Sequence, residues 1–348
     1  MSGRLQLRRG VVVAEDPLTV EVDGERRAAW ADTGLLGEMR EGDEVVVNVA
    51  ALDLDLGSGG FDVVHVNLSR GLKGKPAGEE HVIKLNYTSL QHPVEPVEAL
   101  DLTESSSRVE GPDEPKVTGP MVVVVLPLHG HLAPAAWAAA EGVPGMRVGY
   151  VQTQGGALPG SLSRDVAELR ERGLLCGHIT AAPAYGGELD AISLTGALDA
   201  ARRLGWQAVL IGPGPGIIGS DSEFGHGGMA ALDNAHAALA LGLETSISPR
   251  LSGSDPRERQ LSVSHHTHTV LELLLGPARV VVPEGAPEKV VAELEQAARR
   301  HRLSTVAADI DGYAASGLPT TTMGRSLEDD PLFFAAPLAA GASLRGKG

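Results

Sequence analysis

The sequence predicts an α/β protein in two parts: a small β-barrel-like domain over residues 1–100, then a doubly wound, mostly parallel α/β domain over residues 120–348. Three observations carry that prediction. Short β-branched runs punctuated by turn residues fill the first hundred positions. From residue 121 onward, apolar runs alternate with helical segments. Between them, DLTESSSRVEGPDEPKVTGP is rich in Ser, Pro and charge and lacks apolar periodicity, so residues 101–119 read as a linker.

In the first part, residues 10–14 and 18–22 are strands separated by Asp16-Pro17, and Asp23-Gly24 is a hairpin-type turn. Glu41-Gly42-Asp43 is a polar turn before the run at 45–52, and a glycine-serine turn precedes the run at 61–68. Strands at this spacing make a small barrel or half-barrel, and the run at 81–90 either closes it or bridges onward. Small barrels often bind oligonucleotides, but this one is acidic and poor in aromatics, which favours a structural or homo-oligomerising role.

In the second part the predicted strands are 121–126, 146–152, 174–181, 207–211, 243–248, 279–283 and 304–308. Predicted helices at 132–140, 163–171, 189–204, 229–241, 256–275 and 287–301 lie between or after them, and 333–342 forms a last apolar helix. The alternation implies parallel strands joined by crossover helices, with a closed β/α barrel as the alternative. In either architecture ligands bind beyond the carboxyl ends of the strands.

Composition narrows the partners. The 348 residues hold 29 Lys+Arg against 45 Asp+Glu, a formal charge of -16, which argues against nucleic acid or an anionic membrane as partner. Residues 121–140 lack charge, yet Pro127, His129, Gly130, His131 and Pro134 interrupt them, so a strand, loop and helix fit better than a membrane span. The single cysteine, Cys176, excludes an internal disulfide. No apolar core of a signal peptide follows Arg8 and Arg9, and the expected compartment is the cytoplasm.

The densest signal for chemistry is GPGPGIIGSDSEFGHGG at 212–228, with seven glycines in seventeen residues directly after a predicted strand. Glycine at this density marks positive-φ turns or close approach to the backbone, so the stretch reads as the floor of a ligand site, with Gly214, Gly216, Gly219 and Ser220 as contacts. Gly214, Gly216 and Gly219 also match GxGxxG, but Pro213 and Pro215 lack an N–H to offer a phosphate, and the match follows the fourth strand rather than the first. A small anionic or nucleotide-like ligand is the expectation.

His226, His265 and Asp221 are the candidates for proton transfer, because histidine titrates nearest neutral pH. Arg250, and Arg325 at the end of the hydroxyl-rich PTTTMGR, would hold the ligand's charge. His129-Gly130-His131 after a strand can place two imidazoles on one divalent metal, as in metal-dependent hydrolases. Asp255-Pro256-Arg257-Glu258 resembles a helix start, although residues 262–269 are poor helix formers, and Ser264 could instead cap a second helix. On such a helix His265 and His268 share a face and are the better ligand or base candidates. His266 falls beside Val263, Val270 and Leu274 and reads as a buried, satisfied histidine.

The expected function is an enzyme, a hydrolase or transferase with or without a divalent metal. The alternative is a non-catalytic metabolite or nucleotide sensor or assembly module that uses the same loop. Over most of its length the chain resembles an uncharacterised, mainly actinobacterial family known only as a domain of unknown function. The resemblance is carried by LGSGGF at 56–61, VIKLNYTSLQ at 82–91, GPGIIG at 214–219, DPRER at 255–259, SHHT at 264–267 and TMGR at 322–325. It implies no activity and no catalytic residue. The 23 Arg against 6 Lys fit the GC-rich genomes such a family implies.

Overall fold

The computed structural model describes residues 4–56, 59–72, 74, 78, 80–101, 121–220 and 222–345. The chain divides into two compact units, 1–81 and 82–348. Residues 102–119 of the expected linker lie outside the described residues.

The first unit is a closed five-stranded barrel. Its strands are β1 (Leu7–Glu15), β2 (Leu18–Val22), β3 (Glu25–Trp30), β4 (Glu44–Asn48) and β5 (Asp62–Asn67), with short helices α1 (Thr33–Leu36) and α2 (Ala50–Asp53) in the connections. The order β1-β2-β3-β5-β4 closes because β4 pairs with β1. Asp23 and Gly24 both adopt positive φ, the primed-turn geometry that their sequence predicts. Val12, Val20, Val22, Val45, Val47 and Val64 alternate inward to form the core. The buried Asp43 is held by Asn67 and Arg70.

In the second unit, β6 (Val82–Lys84) and β7 (His92–Val94) form a hairpin. Residues 82–100 were expected with the barrel; they pack instead on the α/β unit, where Lys84 is buried on Asp190 and Val97 enters the core. An eight-stranded sheet follows, of β8 (Val122–Val125), β9 (Val148–Thr153), β10 (His178–Ala181), β11 (Leu189–Ala191), β12 (Ala208–Pro213), β13 (Glu244–Ile247), β16 (Arg279–Pro283) and β17 (Arg302–Val306). A small hairpin, β14 (Leu251–Ser252) with β15 (Ser262–Val263), interrupts the series. The sheet order is β11-β10-β9-β12-β8-β13-β16-β17 and every pairing in it is parallel. The open sheet excludes the closed β/α barrel.

Helices cover both faces, which is why β8 is apolar at every position. On one face lie α5 (Leu194–Arg203), α6 (Ala230–Ala240), α7 (His265–Leu273) and α8 (Glu288–Ala297). On the other lie α3 (Leu132–Gly142), α4 (Arg164–Glu171), α9 (Ile310–Ala314) and α10 (Pro331–Ala342). A last hairpin joins β18 (Thr321–Thr322) to β19 (Arg325–Ser326). No described helix is long and apolar enough to cross a membrane.

Two local expectations differ from the structure. Residues 189–204 begin with an edge strand before the helix, because Leu189–Ala191 pairs with β10 and only Ser193 offers an N-cap. Residues 256–275 are not one helix: a turn, the strand β15 and then α7 replace it, with Ser264 as the cap of α7. The poor helix formers at 262–269 therefore break the helix as their propensities dictate, and the Ser264 cap decides where it restarts.

From β8 the chain runs through β9 and β10 to the edge at β11, returns to β12, then crosses to β13 and out through β16 and β17. The outgoing connections of the neighbours β8 and β13 thus part in opposite directions. The crevice of a topological switch point lies over their carboxyl ends.

Candidate functional site

The glycine loop leaves the carboxyl end of β12 and carries one of the candidate side chains, His226. After β12, Gly219 bridges to His226, Ser220 N–H donates to the Gly225 carbonyl at 2.7 Å, and Gly227 N–H donates to Ile218 at 2.7 Å, making a tight hairpin. A 3-10 turn, Gly227–Met229, then leads into α6. The glycines expected as ligand contacts serve the chain itself. A Cβ on Gly214 would strike the Ala157 carbonyl and the Gln152 amide, and one on Gly219 would meet His226. Ser220 donates to Gly225 within the hairpin, and Gly216 adopts a turn conformation with φ of +70°. Asp221 lies outside the described residues.

The second contribution comes from α7. The Ser264 hydroxyl accepts from His266 N–H at 3.2 Å and caps the helix, so His265 and His266 are its first two residues. His226 and His266 stack with centroids 3.5 Å apart, and His265 sits 4.1 Å from His266 and 5.4 Å from His226. One nitrogen from each ring lies within 4.8 Å of the other two, the one such group of three among the described residues. The structure therefore joins His226 to His265 as neighbours and adds His266. His268 is half-buried one turn along and is not part of the group. His266 differs from the sequence expectation: it is buried but not satisfied.

Each ring is anchored on its outer side and open on its inner side. His226 Nε2 faces the Glu223 carbonyl at 3.0 Å, and His265 Nδ1 faces the Arg259 carbonyl at 3.1 Å. Both outer nitrogens must carry the proton, which leaves lone pairs on His226 Nδ1 and His265 Nε2. His266 Nε2 meets the Gln260 side-chain amide at 3.5 Å. His226 Nδ1, His265 Nε2 and His266 Nδ1 are all buried with no hydrogen-bond partner. Burial pushes all three imidazoles below their ordinary range, His266 to about 2, and Arg250 and Arg259 push the same way. The rings are therefore uncharged at neutral pH.

The arginines expected to hold a ligand are already engaged. Arg250 lies 2.9 Å from Asp255, which also accepts from Arg257 at 2.9 Å and Arg325 at 3.3 Å. Arg325 further pairs with Asp330 at 3.1 Å, and Asp330 takes the Ser252 hydroxyl. Desolvation alone would raise the Asp255 carboxyl, but hydrogen bonds from Arg257 and the charges of Arg257 and Arg250 outweigh it and hold the group below its usual range. Two buried carboxylates require such partners, so Arg250 and Arg325 form a cross-link between β13's outgoing loop and the 320–330 segment.

The histidines of the HxH motif diverge. His129 reaches over the end of β12, with Nε2 at 2.8 Å from Ser163 Oγ and Nδ1 at 3.2 Å from the Pro213 carbonyl. His131 reaches the other way, with Nδ1 at 3.0 Å from Ser248 Oγ beyond β13. Their partners sit on opposite sides of β8, so the pair is not arranged around one metal. Around His129 lie Asp165 at 3.8 Å, Tyr150 edge-on, and His178 stacked on Tyr150. Sequence reading missed Gln260, Gly228 and this Tyr150–His178 neighbourhood. The paired histidines behind a Ser cap were the available signal for the first two.

A family profile matches residues 28–341. The chain belongs to DUF3866, a family described as proteins of unknown function. No curated protein and no solved structure matches it. The match spans the later barrel strands and nearly all of the α/β unit, so the matched region includes His226, His265 and His266 together with the glycine loop that carries His226.

Proposed function

We propose that this protein is an enzyme for hydrolysis or group transfer on a small anionic substrate, with its reaction centre at His226, His265 and His266. The observation that carries the reading is the grouping of three imidazoles, each with a buried, partnerless nitrogen, between the loop that leaves β12 and the start of α7. A buried polar atom without a partner costs about 1–3 kcal/mol, and such a cost persists at sites that bind something. The substrate class follows from the surrounding charge. Arg250, Arg257 and Arg259 act on the rings, which favours an incoming anion despite the chain's overall acidity. The half-buried thiol of Cys176 is pushed up to about 11 by burial and stays protonated, in keeping with a cytoplasmic enzyme that uses no thiolate.

The test is a thermal-shift panel of carboxylates, phosphate esters, phosphosugars and nucleotides, run with chelator and again with zinc. A ligand at 100 times its dissociation constant stabilises by about 2.7 kcal/mol. A hit that is turned over, with turnover lost in His265→Ala, supports the enzyme; a hit that binds without turnover indicates a sensor. No shift under either condition removes the reading.

A further inference from the structure

We propose that His226 Nδ1, His265 Nε2 and His266 Nδ1 are the protein ligands of one divalent transition metal of the zinc class, with a fourth position open to an anionic ligand. The proposal rests on the same three-histidine site as the function above and deepens it, because it concerns which atoms the rings present rather than what is turned over.

The donor set is the first argument. Three neutral imidazoles with no thiolate or carboxylate suit zinc, cobalt, nickel or copper rather than calcium or magnesium, which prefer oxygen. Three protein ligands rather than four is the pattern of a site that keeps a position for water or substrate.

The outer contacts are the second. A metal-bound histidine usually donates its other N–H to a carbonyl or carboxylate, which fixes the tautomer and aims the lone pair inward. His226 does so to Glu223 and His265 to Arg259. For His266 the partner is the Gln260 amide, whose oxygen and nitrogen can exchange places by rotation. With the oxygen turned to Nε2, each of the three rings keeps a lone pair on its partnerless nitrogen, and the His226 and His266 rings, stacked 3.5 Å apart and 19° from parallel, must splay for both lone pairs to meet one ion. Gln260 is therefore a positioning residue.

The third is space. Gly228 is not in the left-handed region, so its backbone does not require glycine. A Cβ there would lie 3.1 Å from His226 Nδ1 and 3.1 Å from His266 Nδ1, two of the three inner nitrogens. Zinc-to-nitrogen distances of about 2.0–2.1 Å put a metal in the region that this methyl would crowd. The absent side chain keeps the space between the ligand atoms clear.

The nearby arginines oppose a cation, but Arg250 and Arg257 are ion-paired with Asp255, which cancels part of their field. What remains favours an anion in the fourth position over a neutral ligand.

The experiment uses full-length, untagged protein stripped with chelator, titrated with zinc chloride by calorimetry and with cobalt chloride by visible absorption. One equivalent of each should bind, with the intense visible bands of tetrahedral cobalt. His266→Ala and Gly228→Ala should each weaken binding by at least about 100-fold, Gln260→Leu by roughly 10-fold, and His268→Ala should leave it unchanged. Circular dichroism reads the fold of each variant, and Gly228→Ala tests the site with every ligand residue retained. No binding to the unmodified protein at micromolar metal, or binding that survives both His266→Ala and Gly228→Ala, overturns the proposal. Stabilisation of the stripped protein by an anion without metal uptake would overturn this proposal alone and leave the proposed function standing. Metal uptake with a silent ligand panel would do the reverse.

Discussion

Two groups of histidines sit at the carboxyl edge of the same parallel sheet and differ in how their nitrogens are used. Around His129, both ring nitrogens meet partners, and its hydroxyl partner Ser163 also accepts from Val166 N–H to cap α4. Around His226, three rings share their outer contacts with backbone or amide and leave their inner nitrogens together without partners. His131 and His178 each also bury one partnerless nitrogen, but neither joins a group of three. Histidine count and position therefore do not separate the two groups; the pairing of their nitrogens does.

Four measurements test that contrast, beginning with the largest effect. His178 is held down to about 4 by burial, with His129 and Arg170 lowering it and Asp190 opposing them. Its unfolded form titrates near 6.5, so below that pH the unfolded chain takes up a proton that the folded one refuses. The stabilisation is full above about pH 6.5 and is lost as pH falls toward 4, on the order of 3 kcal/mol. Urea unfolding at pH 7 and pH 4.5 should show a steeper loss in the natural protein than in His178→Gln. Equal slopes would remove His178 from the account.

The next effect is the response to metal. Zinc at 100 times its dissociation constant should raise stability by about 2.7 kcal/mol in the natural protein and by nothing measurable in His266→Leu. Third, without metal, His129→Leu should cost about 2 kcal/mol, because Ser163 and the Pro213 carbonyl lose a partner, whereas His266→Leu should stay within about 1 kcal/mol, since it removes an unsatisfied nitrogen. Equal penalties in the two variants would erase the distinction between the groups. Last is Ser163→Ala, expected to cost about 2 kcal/mol, because it removes the cap of α4 and the partner of buried His129 Nε2 together, while leaving zinc uptake intact.

Much of the fold was legible because it depends on neighbours in the chain. Asp23-Gly24 turns with positive φ at both residues, and the fully apolar Val122–Val125 announces a strand covered on both faces. Ser264 as a helix cap was equally local. The site was legible only in part. His226 and His265 were singled out by their place after predicted strands, but His266 was assigned to the core, since its burial follows from helical periodicity while its missing partner does not. Arg250 and Arg325 looked like free clamps although each has a carboxylate five residues on, Asp255 and Asp330, because the turn that folds the chain back to make those pairs and the long-range Arg325–Asp255 contact have no local signature.

By itself the sequence determined the two-part architecture, the parallel sheet and the edge of it at which chemistry is to be sought. All of these follow from periodicity, turn residues and the rule for parallel strands. The tertiary structure decided what the glycines of the loop pack against and which histidines lie together. Gly214 makes room for the Ala157 carbonyl, Gly219 for His226 across the same hairpin and Gly228 for the space between two imidazoles, and the loop ends by setting His226 against a helix that begins about forty residues later. Close approach of backbone and the direction of a lone pair depend on segments far apart in the chain, and no local pattern of residues encodes them.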